Sequence, residues 1–125
     1  MRWRAPFPKF GSGGPGLERV RAVAAILEID LTSFGAGGGC VIVGSNGKGS
    51  TAAICAALVQ QAAAPVGLFT SPHLFALNER FRIDGEDISD AELQAHWDRV
   101  SAAVSQARLE DRFGAFEFLF LIAAD

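Results

Sequence analysis

Apolar and polar residues follow one another along the chain in patterns that predict helices separated by short strands. Apolar residues recur at helical spacing over residues 17–27, and a second stripe is formed by Leu93, Trp97, Val100 and Val104. Short apolar runs at residues 40–43 and 66–69 predict strands on either side of an alanine-rich helix at residues 49–63. This order predicts a parallel strand pair with a right-handed crossover.

The second half of the chain continues the alternation. Residues 79–83 alternate polar and apolar side chains, which predicts a half-buried strand, and Asp84-Gly85 marks a turn. Ser89 and Glu92 have the spacing of a capping box, which opens the helix that carries the second stripe. Residues 113–124 predict a further buried helix, with Glu117 as its one internal charge.

Residues 44–51 (Gly-Ser-Asn-Gly-Lys-Gly-Ser-Thr) connect the predicted strand at 40–43 to the following helix, and we call them the glycine loop. Glycines let backbone N–H groups surround a phosphate, and the helix N-terminus adds partial positive charge. Lys48 can neutralise phosphate oxygens, and Ser50 or Thr51 can offer a hydroxyl to Mg²⁺. The general P-loop pattern asks for glycine where Ile42 stands and for a hydroxyl where Gly49 stands. On this pattern alone, a nucleotide site and an ordinary strand–turn–helix both stay open.

The elements together predict a P-loop-type, three-layer α/β fold with a mostly parallel sheet. The predicted strands are too few to cover the apolar faces of this many helices. We therefore expect the chain to be the front part of a domain, incomplete at its C-terminal end. Residues 1–16 are rich in proline and glycine and predict an arm or loop, whereas residues 17–125 form the domain portion. A complete small domain is the alternative.

Composition narrows the classes of function. The chain has 125 residues, of which 50% are hydrophobic and 20% charged, as in globular proteins. Its net charge of −3 argues against nucleic acid or an anionic membrane as a binding partner. The apolar run at residues 118–124 is far shorter than a membrane span. Residues 1–10 are basic but are not followed by an apolar stretch, so we expect no signal peptide there. Cys40 and Cys55 are expected to be buried thiols rather than a disulfide, which favours the cytoplasm.

Further segments decide between the two interpretations of the glycine loop. Residues 70–74 (Thr-Ser-Pro-His-Leu) and 78–89 (Asn-Glu-Arg-Phe-Arg-Ile-Asp-Gly-Glu-Asp-Ile-Ser) follow it at short intervals. With residues 16–20 upstream and Phe116-Glu117 downstream, this ordered set resembles the N-terminal ATP-binding domain of folylpolyglutamate synthase/dihydrofolate synthase, a branch of the Mur ligase superfamily. The resemblance covers nearly the whole chain from about Gly14 and also accounts for Gly49, because this branch has glycine after the lysine.

The resemblance implies an ATP-dependent ligase of folate biosynthesis and one-carbon metabolism, with ATP and Mg²⁺ as cofactors. ATP would convert the carboxylate of a folate or of dihydropteroate into an acyl phosphate, which the amino group of L-glutamate attacks. Small-molecule substrates are therefore the expected partners, and the oligomeric state stays open. The family's remaining metal and lysine residues and its C-terminal domain lie outside these residues, so we expect the chain alone to be inactive.

The resemblance also assigns residues. It implies Lys48 as the catalytic residue and Ser50 and Ser71 as Mg²⁺ ligands. The residues implied in nucleotide binding are Ser45, Asn46, Gly47, Lys48, Gly49, Ser50 and Thr51. Those implied in lining a pterin pocket are Gly14, Pro15, Gly16, Gly114, Ala115, Phe116 and Glu117. Gly114 and Ala115 stand where the family commonly has Thr and Tyr.

Several residues and functions keep alternatives. Glu79 and Arg80 could touch substrate or form a surface charge pair. His73 and His96 are expected to be structural, and Trp97 to belong to the core. A non-catalytic nucleotide-binding or interaction fragment is the alternative function. A second is another Mur-type amino-acid ligase, against which Gly49 and residues 78–82 argue.

Overall fold

The structure of the protein, a computed structural model, describes residues 14, 16–32, 38–62 and 65–125. The predicted arm at residues 1–16 lies outside the described residues, except for Gly14 and Gly16. In the described parts, the chain forms helices α1 (Leu17–Ile26), α2 (Lys48–Gln60), α3 (Asp90–Gln106) and α4 (Ala115–Ala124). The strands are β1 (Gly67–Phe69), β2 (Phe81–Ile83) and β3 (Glu86–Asp87), with a 3₁₀ helix at Leu77–Arg80.

The chain divides into two compact units, and each is described here by itself. The first contains residues 1–37 and 93–125, and the second contains residues 38–92. The first unit is helical, whereas the second contains α2 and the sheet. Helix and sheet together confirm the α/β class.

The helical unit has the larger apolar core. The buried positions of α1 recur at helical spacing, as predicted, and so do those of α3 and α4. These core residues are Val20, Val23, Ala24, Leu27, Leu93, Val100, Ala103, Val104, Phe113, Phe118, Leu119, Leu121 and Ile122. Trp97 was expected in the core but is only half-buried, and its ring meets the ring of Phe118 edge-on at 4.8 Å between centroids.

The sheet of the second unit is antiparallel, with the order β1-β2-β3. In the register of β1 and β2, Phe69 lies opposite Phe81, and their rings stack with centroids 5.5 Å apart. The predicted turn at Asp84-Gly85 connects β2 to β3, and both of its residues have positive φ, 52° and 85°. Two consecutive positive φ angles match the twist of a tight hairpin, which explains the preference for Asp-Gly here.

The predicted strand at residues 40–43 is not present as a strand, and this corrects the sequence analysis. No described strand pairs with these residues, and Val41 and Val43 are 85% and 83% exposed. A strand exists only through hydrogen bonds to a neighbour. Strand β1 pairs with β2 instead, in the antiparallel sense. The predicted parallel pair with its crossover is therefore not observed among the described residues.

Smaller differences concern element boundaries and burial. The strand predicted at residues 79–83 begins only at Phe81, because Leu77–Arg80 forms a 3₁₀ turn first. The sequence analysis did not predict β3. The expectation of buried thiols is wrong for Cys40, which is exposed, whereas Cys55 is half-buried; both are free. The capping box is confirmed: the Glu92 N–H donates to Ser89 Oγ at 3.2 Å, and the Ser89 N–H donates to Glu92 Oε2 at 2.8 Å.

Helix length also bears on membranes. Among the residues that the structure describes, every helix is too short or too polar to cross a bilayer.

Candidate functional site

The glycine loop leads directly into α2, and Gly47 makes this possible. Gly47 is the N-cap of α2 and has φ 74° and ψ 7°, a left-handed conformation that a side chain disfavours. The Thr51 N–H donates to the Gly47 carbonyl at 2.9 Å. The amides of the three residues before Thr51 have no intrahelical acceptor, because every α-helix begins with such free donors. Lys48 is thus the first residue of a helix whose N-terminus offers unpaired N–H groups.

All seven nucleotide-binding candidates, Ser45 through Thr51, are exposed and lie on this one short segment. The first turn of α2 contains no acidic side chain. Free amides, a helix dipole and one lysine at the same end of α2 favour an anion there, because all three contribute positive potential.

Ser71 belongs to the same unit as the glycine loop and lies in a loop shaped by Glu79. Glu79 Oε1 accepts the N–H groups of Phe75 at 2.7 Å and Ala76 at 2.6 Å, and Oε2 accepts that of Leu74 at 2.8 Å. These backbone donors, of which Leu74 contributes most, lower the pKa of Glu79 to about 2. Glu79 is therefore an anionic support for the loop at residues 71–76, which we call the Glu79 loop.

Arg80 supports the same loop from its other side. Its Nε–H donates to Nδ1 of His73 at 2.9 Å, so Nδ1 is the acceptor nitrogen of that imidazole. Burial lowers the pKa of Arg80. Glu79 and Arg80, which were weighed as substrate contacts or as a mutual surface pair, both bond to the Glu79 loop instead. His73 has the structural role that was expected.

In the helical unit, the pterin-pocket candidates converge on Glu117. Its Oε1 accepts the Gly16 N–H at 2.9 Å, and its Oε2 accepts the Gly114 N–H at 3.0 Å. Arg19 Nη2 donates to Oε1 at 3.0 Å and also to the Gly14 carbonyl at 2.7 Å. We call these five residues, Gly14, Gly16, Arg19, Gly114 and Glu117, the Glu117 cluster. Two candidate segments about 100 positions apart in the sequence thus lie together.

The Glu117 cluster is largely shielded from solvent. The side chains of Arg19 and Glu117 are only 11% and 15% exposed. Gly16 is buried, and a Cβ built there would overlap the guanidinium of Arg19. Glycine at position 16 therefore lets the ion pair approach the backbone. Ala115 is half-buried and Phe116 is exposed, whereas Pro15 lies outside the described residues.

Sequence analysis missed Arg19, although Arg19 lies in the segment 16–20 that carried the resemblance. A charged residue beside buried Val20 and Val23 on α1 was the available signal. His96, for which no partner was predicted, has its Nδ1 2.7 Å from Oδ2 of Asp125. The described residues contain no group of three or more His, Cys, Asp or Glu side chains able to hold a metal ion.

The fold and these sites define an α/β protein with a glycine-rich turn at a helix start. No protein-family model matches the chain. Over 90 residues, the chain is 40% identical to the dihydrofolate synthase/folylpolyglutamate synthase of Bacillus subtilis (strain 168), a match that covers 70% of the chain and 19% of that protein.

Solved structures agree with this relative. The Mycobacterium tuberculosis folylpolyglutamate synthase complexed with ADP matches 98% of the chain and 26% of its own length, with 30% identity and a TM-score of 0.72. A bifunctional folylpolyglutamate synthase/dihydrofolate synthase with Mn, AMPPNP and L-glutamate bound matches 87% of the chain and 25% of its own length, with 32% identity and a TM-score of 0.69.

These matches confirm the resemblance that the motifs predicted. The chain is a relative of the folylpolyglutamate/dihydrofolate synthases, within the Mur ligase superfamily. It spans about a fifth to a quarter of the length of the relatives described above.

Proposed function

We propose that this chain supplies the nucleotide-binding part of an ATP-dependent ligase that joins L-glutamate to a folate or to dihydropteroate. The observation that carries the proposal is the glycine loop, where a left-handed Gly47 places Lys48 at the start of α2. The similarity to synthases that bind ADP, or AMPPNP with L-glutamate, supports it.

In this proposal, the glycine loop binds the polyphosphate of ATP. The free amides at the start of α2, with Ser45 and Asn46, bind phosphate oxygens, as do the hydroxyls of Ser50 and Thr51. Lys48 is the catalytic residue, because its cation offsets the charge that builds up when a carboxylate approaches the γ-phosphate. The carboxylate takes up the γ-phosphoryl group to form an acyl phosphate, and ADP leaves. The amino group of L-glutamate then attacks the acyl carbon, and an amide forms as inorganic phosphate leaves.

The metal in this proposal is Mg²⁺, held by Ser50 and Ser71. Hydroxyl oxygens are hard ligands of the kind that Mg²⁺ prefers, and the ion usually keeps several waters and substrate phosphates as its other ligands. When bound, Mg²⁺ would neutralise phosphate charge.

The acceptor substrate is proposed to bind in the helical unit. Gly14, Pro15, Gly16, Gly114, Ala115, Phe116 and Glu117 would form or shape a pocket for the pterin. The convergence of the two segments in the Glu117 cluster supports this assignment.

We further propose that residues 17–125 are part of a Mur-ligase-type ATP-binding domain with a mostly parallel sheet, and that residues 1–16 are an arm. The high exposure of Val41 and Val43 supports this, because apolar β-branched side chains favour a buried sheet. The two free cysteines support a cytoplasmic location, where thiols stay reduced.

The chain spans only part of its relatives, so we propose that it does not ligate glutamate alone. A non-catalytic nucleotide-binding or interaction fragment is the second candidate function. The folate relatives argue against another Mur-type ligase.

The test is calorimetric titration of the chain with Mg-ATP, with Lys48→Ala as the variant. We expect binding by the unaltered chain and a loss of about tenfold or more in Lys48→Ala, because one charge-assisted phosphate contact is removed. Arg112→Ala, which removes an exposed cation of the helical unit, is the matched control and should bind normally. Absence of binding by the unaltered chain, or equal binding by Lys48→Ala, would contradict the proposal. Release of ADP by the chain that depends on folate and glutamate would contradict the proposal that the chain alone does not ligate glutamate.

A further inference from the structure

The pair Arg19–Glu117 joins two segments that are distant in the sequence. The segment at Gly14–Gly16 bonds to it through the Gly16 N–H and the Gly14 carbonyl, and the segment at Gly114 bonds through its N–H. Both segments are the ones assigned above to the pterin pocket, so the inference rests on the proposed function. The pair therefore bears on the shape of that pocket.

The hydrogen-bond acceptor positions of the Glu117 carboxylate are occupied. A carboxylate offers about four acceptor positions. Oε1 accepts N–H groups from Gly16 at 2.9 Å and from Arg19 Nη2 at 3.0 Å. Oε2 accepts the Gly114 N–H at 3.0 Å and faces Arg19 Nε at 3.5 Å. Four donors therefore surround the carboxylate, which leaves it no position for a substrate donor.

We infer that Arg19 and Glu117 are positioning residues of the acceptor pocket rather than substrate contacts. Together they hold the backbone of Gly14 and Gly16 next to Gly114, and hence next to Ala115 and Phe116 at the start of α4. The pterin would contact that backbone and the Phe116 side chain. Loss of the pair would separate the two walls of the pocket and weaken binding of the acceptor, while the glycine loop would keep its shape.

The geometry requires arginine in particular. The planar guanidinium directs Nη2 to Oε1 of Glu117 and to the Gly14 carbonyl, while its Nε lies 3.5 Å from Oε2. A lysine ammonium is a single point of donation and cannot span these acceptors in one plane. Arg19→Lys therefore keeps the charge and removes the bridge.

The same helix provides a matched control. Arg21 forms an ion pair with Glu18 at 3.2 Å, but these side chains are 60% and 88% exposed. An exposed pair of this kind contributes little to stability or shape. Arg21→Gln removes a similar charge from α1 without touching the Glu117 cluster.

The experiment measures the dissociation constants of 7,8-dihydropteroate and of Mg-ATP, separately, for the 125-residue chain and for Arg19→Lys, Glu117→Gln and Arg21→Gln. We expect both cluster variants to bind dihydropteroate at least about tenfold more weakly and Mg-ATP normally, because the loss is confined to one pocket. Arg21→Gln should bind both ligands like the unaltered chain.

Circular dichroism of each variant shows whether it is folded, and Arg19→Lys carries the test if Glu117→Gln does not fold. Unchanged dihydropteroate affinity in folded Arg19→Lys would overturn the inference, as would an equal loss of affinity for both ligands. Failure of the unaltered chain to bind dihydropteroate would also overturn it. Mg-ATP binding is measured separately. The nucleotide part of the proposed function is therefore tested by its own titration, independently of these results.

Discussion

The glycine loop and the Glu117 cluster obtain their shapes in different ways. The glycine loop depends on neighbours in the sequence: one left-handed glycine and the first hydrogen bond of α2 set its path, and its residues are exposed. The Glu117 cluster depends on residues about 100 positions apart and is largely shielded from water. A site built locally tolerates changes elsewhere in the chain, whereas the cluster requires its whole unit to be folded.

The largest difference should appear when Glu117 is changed. Glu117→Gln removes the charge that faces the guanidinium of Arg19 and turns an NH₂ group toward N–H donors. We expect the free energy of unfolding to fall by about 2–3 kcal/mol, because a shielded cation and backbone amides lose their acceptor. Urea denaturation measures this loss, and Glu18→Gln, in the exposed pair, should change stability by less than about 0.5 kcal/mol. Similar losses of unfolding free energy in Glu117→Gln and Glu18→Gln would contradict the expected difference between the shielded pair and the exposed pair.

A smaller effect is expected at Gly47. Gly47→Ala places a side chain at φ 74°, and we expect a loss of about 1–2 kcal/mol in unfolding free energy, since the left-handed conformation crowds a Cβ. Gly49→Ala is the matched control, because Gly49 lies inside α2 with open space around it, and should stabilise by up to about 1 kcal/mol. Equal effects of the two changes, read from thermal unfolding, would show that the left-handed turn does not shape the glycine loop.

The third effect concerns Glu79 and should be present at neutral pH and disappear at low pH. The pKa of Glu79 is lowered from 4.5 to about 2 in the folded chain, so its contribution to stability is fully present above pH 4.5 and is lost as the pH falls toward 2. We expect Glu79→Gln to be less stable than the unaltered chain at pH 7. Denaturation series at several pH values should show the two stabilities converging below pH 4.5. A constant gap down to pH 2 would mean that the carboxylate does not support the Glu79 loop.

The smallest effect on stability is expected at Lys48. Lys48 is exposed, and we expect Lys48→Ala to change the free energy of unfolding by no more than about 0.5 kcal/mol. The same variant should lose Mg-ATP affinity in the titration described above. Urea denaturation of Lys48→Ala beside Arg112→Ala checks the first expectation, and a large loss of stability would show that Lys48 has a structural role.

The comparison also explains which features could be predicted from sequence. The capping box at Ser89, the turn at Asp84-Gly85 and the apolar stripes of α1 and α3 are local patterns, and the structure confirms them. The glycine loop was recognised for the same reason. Binding roles for its residues remain predictions.

Features that depend on distant residues were missed or wrong. The strand at 40–43 needs a neighbouring strand, and its apolar run could not show whether one is present. Arg19 was not singled out, because its acceptor Glu117 lies 98 positions away. Glu79 was weighed as a substrate contact because no pattern showed that the amides at residues 74–76 would surround it. For the strand and for Arg19, the deciding partner is distant in the sequence. For Glu79 the partners are close in sequence, but the path of the loop that brings their amides to the carboxylate follows no sequence pattern.

Asp84 is more than a turn residue. Its side chain accepts the Val66 N–H at 2.9 Å, its own N–H donates to the Val66 carbonyl at 2.9 Å, and its carbonyl accepts Gln60 Nε2 at 2.8 Å. The hairpin is thus fastened both to the entrance of β1 and to the last residue of α2. A displacement of the C-terminal end of α2 would therefore reach the sheet through this junction. A substitution that turn statistics rate as harmless, such as Asp84→Gly, would therefore remove the side-chain acceptor of the Val66 N–H and loosen the hairpin from the entrance of β1. The backbone carbonyl at position 84 would still accept Gln60 and hold α2.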